Sequence, residues 1–101
     1  ELINLSAKII AGLLTIIEKE LILNLSFVQD KSVVEQHPNL KQQIVNATLL
    51  GNNEHKKVKI IFKDDVGTKM VETTIWASGQ KFICLKGGSW IPIHRIVEII
   101  V

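Results

Sequence analysis

The sequence holds a single cysteine, Cys84. That excludes an intramolecular disulfide and a metal cluster built from several cysteines of one chain, and it fits a reducing compartment such as the cytoplasm. Long hydrophobic runs are lacking too. The most apolar stretch, residues 9–17, is interrupted by Gly12 and Thr15 and bracketed by Lys8 and Glu18, well short of the roughly 20 residues a membrane span needs. It has the length of a secretory signal core, yet no small-residue cleavage pattern follows, and Glu18 and Glu20 stand where one would lie. No membrane partner is expected. Nor is there an excess of one charge: 12 Lys and Arg stand against 10 Asp and Glu, a formal net charge of +2. That balance does not by itself imply a polyanionic partner. The first residue is Glu rather than Met, which reads as a processed or expressed part of something longer.

The 101 residues suit one domain, and a chain 47% hydrophobic and 22% charged is too apolar to stay disordered. Its first segment is unusually apolar for so small a core. A homo-oligomer, in which a copy of the chain completes that core, is therefore the expected state, and a further protein partner is compatible with it.

Over residues 2–21, Leu2, Leu5, Ile9, Leu13 and Ile16 form one stripe at helical spacing and Ile3, Ile10, Leu14, Ile17 and Leu21 an adjacent one, which predicts a helix with a wide apolar face. Self-association is expected through that face. Residues 21–28 then alternate in polarity, as a strand would, with helix continuation as the alternative. Pro38 can open a short helix over residues 38–50, whose buried face is Leu40, Ile44, Ala47 and Leu50, with Gly51 as its left-handed stop and a polar loop over residues 52–56. From Lys57 the pattern is β: strands over residues 57–63, 68–78, 82–86, 90–93 and 97–101, with turns at Asp64-Asp65 and Gly87-Gly88 and a break at residues 93–96. The expected fold class is thus α+β. A helical region over residues 1–50 precedes a small antiparallel five-stranded barrel or curled sheet over residues 51–101, the two forming one cooperative domain.

The stretch KKVKIIFKDD…KMVETTIWASGQKFICLKGG…IPIHRIVEIIV resembles the SH3-like and Sm-like small β-barrels, and is similar to short uncharacterised bacterial proteins with a KVKIIFKD…VETTIWA…IPIHRI pattern. The resemblance covers residues 50–101. It implies a ring-forming module and, in Sm-like proteins, RNA binding through an Asp-x-Asn element on the third strand and an Arg-Gly pair before the fifth. Here Phe82-Ile83-Cys84-Leu85 and His94-Arg95-Ile96 stand at those places, so Arg95 is a partial match and the uridine-binding residues do not carry over. In this arrangement Trp90, Pro92 and Ile96 are expected to close the barrel, and Trp90→Ala would cost about 3 to 5 kcal/mol if the ring is buried.

Candidates for catalysis are His37, His55, His94, Cys84 and scattered carboxylates, none in a recognisable motif. His94 beside Arg95 is the strongest single candidate, and its simpler role is to hydrogen-bond backbone at a strand break. Cys84 reads as a small core residue. Neither a metal ligand set nor a cofactor is expected, since His and Cys lack close repeated spacing, and Gly87-Gly88 precedes a strand rather than the helix that would make it a phosphate cradle. The three Asn-x-Ser/Thr triplets, at Asn4, Asn24 and Asn46, are treated as chance. Nucleic-acid binding has one local feature in its favour. Lys56, Lys57, Lys59 and Lys63 form a basic stripe that Lys81, Lys86 and Arg95 could join, with Trp76, Phe82 and Trp90 as stacking surfaces. The favoured alternative is a solvated edge that blocks aggregation, with the aromatics in the core. The chain is accordingly expected to be a non-enzymatic interaction or assembly module that self-associates, with RNA binding as the second reading.

Overall fold

The computed structural model describes residues 14–28 and 34–101. Its chemistry is clearest in β2, Val58–Lys63, where Val58, Ile60 and Phe62 all point into the core, as the period-2 alternation requires. Strand β3, Thr68–Thr73, pairs antiparallel with β2, and β7, Ile96–Ile100, pairs antiparallel with β2 on its other side. Ile61 and Met70 face each other across β2 and β3 with the opposite parity and are buried apart from the main core cluster.

A second sheet is built from β4, Ile75–Ser78, β5, Phe82–Leu85, and β6, Trp90–Pro92, all antiparallel. Its inward residues Ile75, Ile83, Leu85 and Ile91 meet Val58, Ile60, Val71 and Ile96 of the first sheet. The stretch expected as one long strand over residues 68–78 therefore divides into β3 and β4, which lie in different sheets. Thr73, Thr74 and Ile75 are buried in succession, and at Thr74 the chain passes from the first sheet to the second. The Thr74 carbonyl there accepts a hydrogen bond from the Lys86 N–H.

Helix α1, Leu40–Glu54, packs its Leu40, Ile44, Ala47 and Gly51 edge against this core. It runs past the stop expected at Gly51, and the residue that takes the left-handed conformation is His55, with φ 55°. The His55 N–H donates to the Gly51 carbonyl. Gly51 has a different use: a Cβ at this position would collide with the carbonyl oxygen of Ile75 in β4. The missing side chain lets helix and strand approach closely.

The N-terminal expectation is corrected in its described part. Residues 2–13 of the expected helix lie outside the described residues. Leu14–Ile17 is not helical but an edge strand, β1, parallel to β3 with Leu14 opposite Thr68 and Ile17 opposite Val71. Thr15, Ile16 and Ile17 are β-branched and suit a pleated ladder better than a helix once β3 offers an unpaired edge. A 3-10 helix, Lys19–Asn24, follows and buries Ile22. Residues 25–28 are extended without joining a sheet.

The described residues are thus mostly β, with seven strands in sheets ordered β1-β3-β2-β7 and β4-β5-β6 and one α-helix between β1 and β2 in the chain. The α+β arrangement of an N-terminal helical region followed by a closed five-stranded SH3-like or Sm-like barrel is not formed. The physical reason lies in residues 14–17, which add a strand where a helix was expected, and in the break at Thr74, which separates the strands into two sheets. Among the described residues no helix is long and apolar enough to cross a membrane.

Gly51→Ala should force α1 away from β4. A loss of about 1 to 3 kcal/mol in urea unfolding is expected, and unchanged stability would contradict this packing.

Candidate functional site

The 3-10 helix Ile93–Arg95 turns Arg95 inward, where it is 0% exposed. Its guanidinium donates to Asp65 Oδ1 at 2.9 Å and to the Lys63 carbonyl at 3.2 Å, and lies 5.8 Å from the centre of the Phe27 ring. Asp65 Oδ2 in turn accepts from Ser26 Oγ at 2.8 Å and from the Val28 N–H at 2.9 Å. Arg95, taken from the sequence as part of a nucleic-acid-binding stripe, is therefore a buried structural residue that ties three chain segments together. Its hydrophobic surroundings and its ion pair remove it from contact with any solvent-borne phosphate.

Next to it, Asp64 closes the β2–β3 hairpin. Its Oδ1 accepts the Val66 and Gly67 N–H groups at 2.9 and 2.8 Å, and its Oδ2 lies 3.2 Å from Lys69 Nζ. Burial pushes the carboxyl up, but the Gly67 and Val66 N–H bonds and the Lys69 ammonium together outweigh it and hold the group below its ordinary 3.8.

The other stripe residues are on the surface. Lys56, Lys57 and Lys59 are exposed and Lys63 is half-buried. Lys59 faces Glu72 directly across β2 and β3, so the outer face of this sheet carries mixed charge rather than a continuous basic track. The aromatic residues proposed to stack on bases belong to the other sheet.

There the expectation that the aromatics fill the core is overturned. Trp76, Phe82 and Trp90 are 47%, 44% and 53% exposed. Strand parity explains it: Ile83, Leu85 and Ile91 take the inward positions, which leaves Phe82, Cys84 and Trp90 outward on β5 and β6. A bulge between Ile75 and Ala77 leaves Trp76 and Ala77 both exposed. Trp90 is thus not a barrel-closing core residue, although Pro92 and Ile96 are buried. Phe82 and Trp90 meet edge to face at 6.3 Å and 90°.

Beside this face lie two hollows of about 580 Å³ each, one between α1 and residues 78–80 and the other beside Phe82 and Trp90. Both are lined by Gln36, Gln80 and Ile93, so they form one groove. Gln36, a residue the sequence reading did not single out, donates from Nε2 to the carbonyls of Ile93 and Ile96 at 2.8 and 2.9 Å and fixes the groove floor.

The histidines do not converge. His37 Nδ1 accepts the Asn39 N–H at the start of α1, His55 caps its end, and His94 is exposed on the 3-10 helix. Cys84 is half-buried between Ala77 and Trp90 on the outer face rather than in the core. Among the described residues no three His, Cys, Asp or Glu side chains gather into a possible metal site. Comparison with protein-family models, with curated proteins and with solved structures finds no match to this chain. The likeness to short bacterial proteins rests on the quoted residues alone.

Two measurements check these assignments. Arg95→Gln leaves Asp65 without its buried cation and should cost about 3 to 5 kcal/mol, whereas Trp90→Ala should cost well under half of that because the ring is half in water. Equal losses for the two variants would contradict the arrangement. For Asp64, a lowered pKa means stability that is present above the unfolded-state value and lost as pH falls through the folded-state value. Unfolding free energy should therefore drop as pH falls below the ordinary value of 3.8 in the wild type and drop less steeply in Asp64→Asn.

Proposed function

We propose that the chain is a non-enzymatic interaction module that self-associates through the edge strand β1 and the apolar side chains next to it, in a reducing compartment such as the cytoplasm. What supports this reading is the difference between the sheet edges. The edge of β7 is covered: the His37 N–H donates to the Val97 carbonyl, Gln43 Oε1 accepts the Ile99 N–H, and Gln36 holds the Ile96 carbonyl. Strand β4 lies against α1 at Gly51. Strand β6 is only three residues long and ends in Pro92, which has no N–H to donate.

Strand β1 has none of these protections among the described residues. It reads Leu-Thr-Ile-Ile, without charge, and pairs in its sheet with β3 alone. Ile16 within it is 67% exposed, and Leu23 just beyond it is 75% exposed. An uncharged edge of this kind is a template for a strand of a second molecule, because it presents a row of N–H and C=O groups beside apolar side chains. Two copies related by a two-fold axis would satisfy each other's edge. The route to self-association is thus a strand edge, in place of the helix face expected from residues 2–21. The single free Cys84 carries the choice of compartment.

Sedimentation velocity at high micromolar concentration should show a defined dimer or small oligomer. Ile16→Lys, which places a charge on the edge, should yield a monomer with an unchanged melting temperature. A strictly monomeric wild type would overturn the reading.

A further inference from the structure

The groove beside β5 and β6 has a chemical character of its own, separate from the β1 edge. Lys41, Lys81, His37 and His94 line it, and among the described residues no carboxylate does. One end of the groove carries Phe82 and Trp90 in an edge-to-face pair, an arrangement that leaves ring surface open to the solvent. Its floor is held by the Gln36 bonds to the Ile93 and Ile96 carbonyls, so little ordering is required when a ligand enters. Flat aromatic surface together with positively charged lysines is complementary to a ligand that is anionic and carries planar rings.

We infer that this groove binds single-stranded nucleic acid, with a base stacked on Trp90 or Phe82 and the phosphate backbone running past Lys81 toward Lys41. Stacking on aromatic side chains in a basic groove is sequence-tolerant, since every base has a π-face. An acidic peptide fits less well. Carboxylate side chains have no ring to lay on Trp90, and the adjacent strand, β6, ends in Pro92 and so offers a poor ladder for an added peptide strand. The lysines that serve here are Lys41 and Lys81, which are separate from the stripe at Lys56, Lys57, Lys59 and Lys63.

The chain's two tryptophans, Trp76 and Trp90, provide the readout. Titration with a short oligouridine, and in a parallel arm a short oligothymidine, should quench their fluorescence at micromolar concentration. Poly-glutamate of similar charge should not compete. Raising the salt should weaken binding, and the slope against log salt should shrink by roughly one unit per lysine removed in Lys41→Gln and Lys81→Gln. Trp90→Ala should weaken binding by about 5- to 100-fold, followed by competition with a labelled oligonucleotide. Because the ring is half-exposed, that variant should still fold, with only a modest loss of stability. Should it not fold, Lys81→Glu tests the same groove. Ile16→Lys should bind the oligonucleotides as the wild type does, so a failure of self-association leaves this test intact. Absence of quenching in both oligonucleotide arms would overturn the inference, and so would poly-glutamate binding as tightly as oligouridine, which would assign the groove to an acidic protein segment.

Discussion

The described structure depends on one buried charge. Arg95 has left water completely, and a guanidinium in an apolar interior is tolerated only if its charge and its donors are met there. Asp65 meets the charge, and Asp65 and the Lys63 carbonyl each take a donor from one Nη group, with the Phe27 ring near the guanidinium. Because Asp65 also accepts from Ser26 and Val28, the same ion pair fixes where residues 25–28 run. It thereby sets Phe27 against Phe62, their ring centres 6.0 Å apart. Three segments far apart in sequence are positioned by a single carboxylate.

Around that point the two sheets take complementary roles. The four-stranded sheet supplies Val58, Ile60, Val71, Ile96 and Ile99 to the central core and presents mixed charge outward, with Lys59 opposite Glu72. The three-stranded sheet turns its aromatics outward instead. This placement runs against the usual economy of a small domain, in which large rings carry core burial. Here the core is filled by Ile, Leu and Val, with Phe62 as the single aromatic in its cluster. Aliphatic residues have therefore released the tryptophans for the surface, which is why the inferred binding is placed on that surface rather than on the lysine stripe.

Closure of the edges distributes the remaining polar groups. Side-chain amides from Gln36 and Gln43 do for β7 what a neighbouring strand would do, and α1 covers β4 through the close approach at Gly51. The helix thus serves both sheets: its Ile44 and Ala47 enter the core while its Gln43 satisfies a backbone donor of β7. Among the described residues the edge of β1 has no such cover, which is the observation behind the proposed self-association.

The sequence by itself determined the β character from Val58 onward, though not the division of residues 68–78 between two sheets, together with the Asp64-Asp65 and Gly87-Gly88 turns and the short break before the last strand, because alternation and turn chemistry are local properties read over a few residues. It also determined the buried stripe of α1 at Leu40, Ile44 and Ala47. Only the tertiary structure decided what residues 14–17 would become, since two-stripe apolar spacing and β-branched content point opposite ways and the unpaired edge of β3 tipped the balance toward strand. The same holds for Gly51, whose role followed from the distance to β4 and not from a helix end. The candidate site was legible only in its parts. Trp76, Phe82 and Trp90 could be named as stacking residues, but their exposure depended on which strand parity faced the aliphatic core. Arg95 read as a surface cation because nothing local signals that Asp65, thirty residues earlier, waits to receive it. Burial of a charge is decided by partners brought together from a distance, and a linear pattern carries no record of that distance.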